Sequence, residues 1–320
     1  MRSFKNLYQR LPQEFLDSIA EEYDERTLER ILGGFMVERP VTLRINRIKT
    51  DIRRVMERFR QDNIKFDRVL WYEDALVIRN KREKDLESHE LYQEGHIYLQ
   101  SLSSMIPPVV LSPRAGQKVL DLTAAPGGKS TQMASLMGNE GFILANELNS
   151  IRAERLKFNV ERQGSTIIEV RVGDGKRLEE KWDGFFDAVL LDAPCSGVGL
   201  FSVDNSMTYR GWSVKRLAAY ARDQRKLFES AFKALKPGGA MVYSTCTLMR
   251  EENQDVIAWA SDTFGSELTM EKIGLELVGA ETLTPELAFG GVRNGALTVV
   301  PSELYEGFFV ARFRKSNRKK

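Results

Sequence analysis

From about Gly116 onward the chain alternates apolar-rich runs with stretches of helical pattern, and few folds satisfy that order. The runs lie at 119–122, 142–145, 167–172, 188–191 and 241–243. Strands that recur with helices between them form a parallel sheet covered on its faces, so this part of the chain predicts a doubly wound, mostly parallel Rossmann-like α/β sheet. Residues 213–235 predict its longest covering helix, stopped by Pro237-Gly238-Gly239. Two late runs, at 297–300 and 308–312, predict antiparallel edge strands.

The first hundred residues follow another pattern. Residues 1–35 carry Leu7, Leu11, Phe15, Ile19, Leu28 and Leu32 at helical spacings, with Gly33-Gly34 as the stop. Residues 41–46 alternate as a strand, and Thr50 is the expected N-cap of a helix bearing Ile52, Val55, Met56 and Phe59. Strands at 69–72 and 75–78 complete a small α/β module. The expected division is a helical segment (1–38), the small RRM-like module (39–100), the sheet domain (101–315) and a basic tail (316–320).

Net charge is only +2, but nine Lys or Arg face four acids between Arg44 and Arg68, and six more basic residues follow from Arg312. Such clusters track a phosphate backbone or serve as a solvated face equally well. The N-terminus lacks the apolar stretch of a signal peptide, and no run nears the roughly 20 apolar residues of a membrane span, so a cytoplasmic chain is expected. Cys195 and Cys246 are the only cysteines and His89 and His96 the only histidines, which excludes a disulfide framework and any zinc-ligand spacing. No metal is expected, and the chain is expected to be a monomer.

Asp121-Leu122-Thr123-Ala124-Ala125-Pro126-Gly127-Gly128-Lys129-Ser130 falls where the first strand of the sheet turns into a helix. A phosphate-binding P-loop requires glycine at the position held by Thr123, and a Gly-x-Gly-x-x-Gly dinucleotide fingerprint is absent. What remains is a turn of small residues that lets a compact zwitterion approach the backbone. Glu147 ends the second strand, where an acid accepts hydrogen bonds from ribose hydroxyls, and Asp174 follows the third, suited to an adenine amino group. Taken singly each acid is an ordinary surface carboxylate; with Asp121 they place one acid at each of three successive strand ends, which points to an adenosyl ligand, S-adenosylmethionine.

Both cysteines occupy short motifs after apolar runs: Asp192-Ala193-Pro194-Cys195-Ser196-Gly197 and Ser244-Thr245-Cys246-Thr247. Free cysteine commonly fills core, but a strand exit flanked by Pro, Ser, Thr and Gly suits a reachable thiol. With the Ala-Ala-Pro-Gly-Gly-Lys turn, these motifs resemble those of the RNA cytosine-5 methyltransferases of the Sun and nucleolar-protein type. The resemblance extends to Arg39-Pro-Val-Thr-Leu-Arg-Ile-Asn46, Tyr98-Leu-Gln-Ser-Leu-Ser-Ser-Met105 and Gly307-Phe-Phe-Val-Ala311.

The resemblance implies that Cys246 is the nucleophile, that Cys195 assists product release, that Asp192 holds the cytosine beside the methionine end of the cofactor, and that Lys129 lies near the target base. It implies a cofactor site formed by Thr123, Ala124, Ala125, Pro126, Gly127, Gly128, Lys129, Glu147, Asp174 and Asp192, with Arg152 early in the following helix as a further member. It also implies RNA, tRNA or ribosomal RNA, as partner, met in part by the small module. The chain departs from the family over residues 198–212, which bears on substrate contacts rather than on chemistry. In that loop Tyr209, Arg210 and Trp212 are able to stack on RNA or to fold into the core.

The chemistry needs these residue types. Carbon 5 of cytosine becomes nucleophilic only after a thiolate adds to carbon 6, so Cys246 must ionise, and no histidine stands near to act as its base. Two other classes remain open: a non-catalytic RNA-binding or ribosome-assembly factor that kept the fold, and a methyltransferase acting on DNA or protein. DNA cytosine-5 enzymes use the Pro-Cys cysteine as nucleophile, so the two cysteine assignments make opposite predictions. A disulfide between the cysteines is the inert alternative, disfavoured in a reducing compartment.

Overall fold

The structure, a computed structural model, describes residues 4–285 and 295–317. Three helices open the chain, α1 (Phe4–Arg10), α2 (Gln13–Glu22) and α3 (Glu25–Gly34), the last ending at the expected glycine pair. The small sheet contains β1 (Thr42–Ile45), β2 (Phe66–Arg68), β3 (Ala75–Ile78) and β4 (Ile97–Leu99), with α4 (Ile52–Gln61), α5 (Glu83–Glu87) and α6 (Glu90–Gln93) between them. Its order is β2-β3-β1-β4, antiparallel throughout, the split βαβ arrangement of RRM-like modules.

Two local expectations fail here. Asp51, not Thr50, caps α4, accepting from the amides of Arg53 and Arg54. Residues 69–72 form a turn rather than a strand: Val69 and Tyr72 are buried against the neighbouring domain and Leu70 is 79% exposed, so the apolar run serves an interface, not a sheet.

Helix α7 (Leu102–Leu111) leads into the large sheet: β5 (Lys118–Asp121), α8 (Gly128–Leu136), β6 (Phe142–Glu147), α9 (Ser150–Gln163), β7 (Ile168–Val172), β8 (Phe186–Asp192), α10 (Val214–Ala234) and β9 (Leu235–Thr245). Then come α11 (Gln254–Phe264), β10 (Leu268–Met270), β11 (Thr282–Leu283), β12 (Ala296–Val299) and β13 (Phe308–Lys315). The order is β11-β12-β13-β9-β8-β5-β6-β7, with β5 to β9 mutually parallel and β10 paired to β13. The order reverses at β5, which has β6 on one side and β8 on the other; ligands of doubly wound sheets bind at the carboxyl ends of such neighbours.

The doubly wound expectation therefore holds, with two corrections. β13 is not an edge strand: it lies between β9 and β12, antiparallel to both. Pro237-Gly238-Gly239 does not stop the helix; α10 ends at Ala234, and the three residues sit inside β9, where the pairing with β8 shifts register between Phe186 and Ala188. A bulge tolerates a proline that a regular ladder would not. No helix among the described residues is long and apolar enough to cross a membrane.

Candidate active site

Three of the large sheet's strands end on acids, Asp121, Glu147 and Asp192, and Asp174 lies just beyond β7. Two cavities open over these ends. The larger, about 460 Å³, is lined by Thr123, Ala125, Glu147, Arg152, Asp174 and Asp192 and by both cysteines. The smaller, about 390 Å³, lies between the large sheet and the small module and is lined by Ala124, Pro126, Gly128 and Lys129, with Tyr98, Ser104, Glu306 and Phe308 opposite. Asp192 and Cys246, with Thr123 and Ala125, are walls of both.

Gly127 lines neither cavity. Its φ of +107° starts α8, and a Cβ there would meet Leu156 Cδ1 at 2.9 Å, so this glycine serves the packing of α8 on α9. Arg152 reaches back from α9 to donate to the Ala125 carbonyl at 2.8 Å, with its other arm 3.5 Å from Glu147. Glu147 also accepts from the Asn149 amide at 2.9 Å, and Asn149 caps the helix that carries Arg152. Turn, acid and arginine are thus tied together along one wall of the larger cavity.

Where the cavities meet, Lys129 Nζ lies 2.8 Å from Asp192 Oδ2 and donates to Ser104 Oγ at 2.7 Å. Burial works against the Lys129 ammonium, but Asp192 beside it, with Asp121 and Cys246 close by, outweighs burial and pushes its pKa up. Asp192 Oδ1 accepts from Ser244 Oγ at 2.7 Å. Asp121 is a wall of the smaller cavity and not of the larger one, where its strand-end position suggested a ligand contact. It is 1% exposed and accepts from Ser130 Oγ at 2.6 Å. Burial pushes its pKa up to about 7, against the Ser130 hydrogen bond and with Asp192 adding to the rise.

Sγ of Cys195 and Sγ of Cys246 are 3.0 Å apart, both free thiols. The hydrogen bond to Cys246, then burial, then the nearby Glu252 carboxylate push the Cys195 thiol well above the usual range. The 198–212 loop crosses this site: Gly199 donates to the Cys246 carbonyl at 3.0 Å and accepts from the Gly307 amide at 2.9 Å. A Cβ at Gly199 would fall 1.9 Å from the Gly307 carbonyl oxygen, so this crossing requires glycine. Tyr209 and Trp212 are buried in a cluster with Phe15 and Phe201, which resolves their role as core rather than RNA platform; Arg210 is exposed.

Sequence reasoning named no role for Ser104, Ser244, Gln224 and Glu252. Ser244 precedes the Thr-Cys pair and Ser104 lies in the quoted Tyr98–Met105 segment, so both were visible within motifs; Gln224 and Glu252 reach the site only through tertiary contact. Among the described residues no group of three or more His, Cys, Asp or Glu is able to hold a metal ion.

The sheet order, the antiparallel β13 inserted beside β9 and the cavity at the β5/β8 switch are those of the Rossmann-like methyltransferase fold. Within that class the chain belongs to the RsmB/F family: the family described as 16S rRNA methyltransferase RsmB/F matches residues 108–314, and its ferredoxin-like domain matches residues 11–84. A relative from Shewanella sp. (strain MR-4), ribosomal RNA small subunit methyltransferase F, is 38% identical over 314 residues. That match covers 96% of this chain and 63% of the relative, so the chain spans less than two thirds of the length of the curated relatives it matches. A solved methyltransferase homolog protein from Pyrococcus horikoshii is 30% identical with a TM-score of 0.82, over 98% of this chain and 99% of that one. NSun6 from Pyrococcus horikoshii, solved with SFG, shares the fold at a TM-score of 0.83 and 20% identity, over 98% of this chain and 100% of that one.

Proposed function

We propose that the chain carries the catalytic unit of an S-adenosylmethionine-dependent RNA methyltransferase that modifies carbon 5 of a cytosine in small-subunit ribosomal RNA. One observation carries this reading: Asp192 and Cys246 are walls common to two cavities, which gives a methyl donor and a base a shared boundary at a thiol. The larger cavity takes the donor, with Glu147 accepting from ribose hydroxyls and Asp174 from the adenine amine; its acid-rich strand ends fit such a ligand. When bound, S-adenosylmethionine supplies the electrophilic methyl group. The smaller cavity takes the base, which must leave its stack to enter. The family's description and the relatives' names favour small-subunit ribosomal RNA over tRNA.

Cys246 attacks as the thiolate and forms a C–S bond at carbon 6. The electron pair displaced from the carbon 5–carbon 6 double bond spreads toward N3 and O2, where the Lys129 ammonium stabilises it. Asp192 accepts from the exocyclic amine, which selects cytosine over uracil. Carbon 5 then takes the methyl group, leaving a neutral adduct. With Cys246 engaged in a bond, Cys195 loses its hydrogen-bond acceptor and releases its proton to solvent. The Cys195 thiolate next removes the carbon 5 proton, the double bond reforms, and the Cys246 thiolate leaves. One methyl group enters and one proton is lost per turnover, and the pair returns to its starting state.

Both thiols line the larger cavity, but Cys246 alone of the two lines the smaller one, which favours Cys246 over Cys195 as nucleophile and so the RNA-type over the DNA-type assignment. The test uses isotope-labelled methyl donor and small-subunit ribosomal RNA from cells lacking the gene. Cys246→Ala is expected to give neither methylation nor adduct, and Cys195→Ala to trap a covalent protein–RNA adduct that survives denaturation. Full activity in Cys246→Ala, with the adduct lost in Cys195→Ala, overturns the assignment.

A further inference from the structure

Beneath the two thiols lies a carboxylate that the reaction above leaves unused. Glu252 ends the 3-10 turn Arg250–Glu252 and is wholly buried. Neutral donors hold it: the Ser196 amide at 2.8 Å and the Gln224 side-chain amide at 3.0 Å on Oε1, and the Ser196 hydroxyl on Oε2. Gln224, from α10, also donates to the Pro194 carbonyl at 2.9 Å. Ser196 Oγ lies 2.9 Å from Thr247 Oγ1, and the Tyr243 hydroxyl donates to the Glu252 carbonyl at 2.6 Å.

These contacts grip the backbone on both sides of Cys195, through Pro194 and Ser196, and join it to the residue after Cys246. The thiol–thiol approach of 3.0 Å is therefore held by the surroundings and does not depend on the thiols' own attraction. Holding a turn needs no charge, since a neutral amide offers the same acceptor without the cost of a buried carboxylate. The charge does something an amide would not. Besides Cys246, Glu252 from the turn and the Tyr243 hydroxyl from β9 act on Cys195, Asp192 from β8 and Tyr220 and Asp223 from α10 share its cavity, and Lys129 lies toward Cys246. Burial pushes the Glu252 carboxyl up, opposed by the hydrogen bonds from Ser196 and Gln224; as the carboxylate it is a negative charge on the Cys195 side of the pair, with the Lys129 ammonium a positive charge on the Cys246 side.

We propose that Glu252 is a positioning residue for the methyl-transfer chemistry: with Gln224 it fixes the Cys195 turn against Cys246, and its charge keeps the pair's proton on Cys195. The direction in which Glu252 moves the Cys195 thiol, upward, agrees with this geometry. The asymmetry divides the labour of two identical groups. Cys246 is left free to attack, and Cys195 keeps its proton until the bond to Cys246 has formed and its hydrogen-bond acceptor is gone. This inference rests on the reaction proposed above.

The test is made on the full chain without RNA or cofactor, so its failure is distinct from failure of that reaction. In a Cys246→Ser background, the pH midpoint for alkylation of Cys195 by iodoacetamide is followed with Glu252 intact and with Glu252→Gln. Glu252→Gln keeps the Oε1 acceptor and lets Ser196 Oγ accept instead of donate, so the clamp persists while the charge is lost. The midpoint is expected to fall by about one pH unit or more. An unchanged alkylation midpoint overturns the proposal and leaves Glu252 a structural residue. If Glu252→Gln does not fold, Glu252→Asp in the same background, which draws the carboxylate back by one methylene, decides: a lowered alkylation midpoint supports the proposal and an unchanged one overturns it.

Discussion

The two sheets spend their polar groups in opposite ways. In the large sheet the acids at and beyond the strand ends are buried or half-buried and tied by short contacts: Asp121 to Ser130, Asp192 to Lys129 and Ser244, and Glu252 of the following turn to Ser196. In the small sheet successive residues of β1 divide between two packed faces. Leu43 and Ile45 meet Val55 and Phe59 of α4, while Arg44 and Asn46 turn to the large domain. Arg44, wholly buried, donates to Gln100 at 3.1 Å and to Thr131 at 2.9 Å, and Asn46 to the Gln163 carbonyl at 2.7 Å. The face on which RRM-type modules stack bases is therefore occupied by protein. On the reading proposed above, what this module has left for RNA is charge on the outside of α4. One sheet offers geometry at short range, the other electrostatics at long range.

If that division is right, the largest effect comes from the ends of the large sheet. Lys129→Met removes the cation that the proposed reaction places where charge gathers on the base, and single-turnover methylation with labelled donor is expected to fall by about 100- to 1000-fold. RNA affinity should hardly change. A rate within about threefold of the parent would mean that the Lys129–Asp192 pair is structural, and the contrast between the sheets would lose its chemical half.

Next in size is the inner face of the small sheet. Arg44→Ala leaves a void among Tyr98, Gln100 and the start of α8, whose Gly128 carbonyl lies 3.3 Å from the Arg44 guanidinium. Unfolding in urea is expected to show a loss of about 3 kcal/mol. RNA affinity measured well below the unfolding midpoint should stay close to parental. A loss of affinity with full stability would instead make this face an RNA contact.

The sequence showed these two regions unequally. The large sheet was legible because each strand is a compact apolar run followed by turn residues and a helical stretch, and because the motif residues that line the cavities fall at the strand exits. The turn at 69–72 was misread because burial at a domain interface and burial in a sheet leave the same apolar trace. The bulge in β9 was misread because Pro-Gly-Gly is a stop signal in most settings. Trp212 and Tyr209 carried both meanings until Phe15 and Phe201, contributed by distant segments, were seen to enclose them. Glu252 was invisible for the same reason. A glutamate in a polar stretch reads as surface, and only the fold brings Ser196 and Gln224 to it.

The smallest expected effect is on the outside of α4, where Arg53, Arg54 and Arg60 are exposed. Arg54 has an ion-pair partner in Asp51 at 3.4 Å, and Arg60 lies over the Phe66 ring at 5.8 Å. Both arrangements leave the cations in water, where an ion pair adds about 1 kcal/mol or less, so each is available to a phosphate. Replacing each in turn by Ser is expected to weaken RNA binding only a few-fold at about 0.15 M salt and to leave the single-turnover rate at saturating RNA unchanged. The discriminating readout is the slope of log K against log salt. It should become shallower by about 0.7 to 0.9 for each arginine that meets a phosphate. An unchanged slope in all three variants would mean that RNA does not pass over α4. Because the inner face of the small sheet is filled, the module would then act as a wall of the base cavity, through Tyr98, and not as an RNA-binding surface.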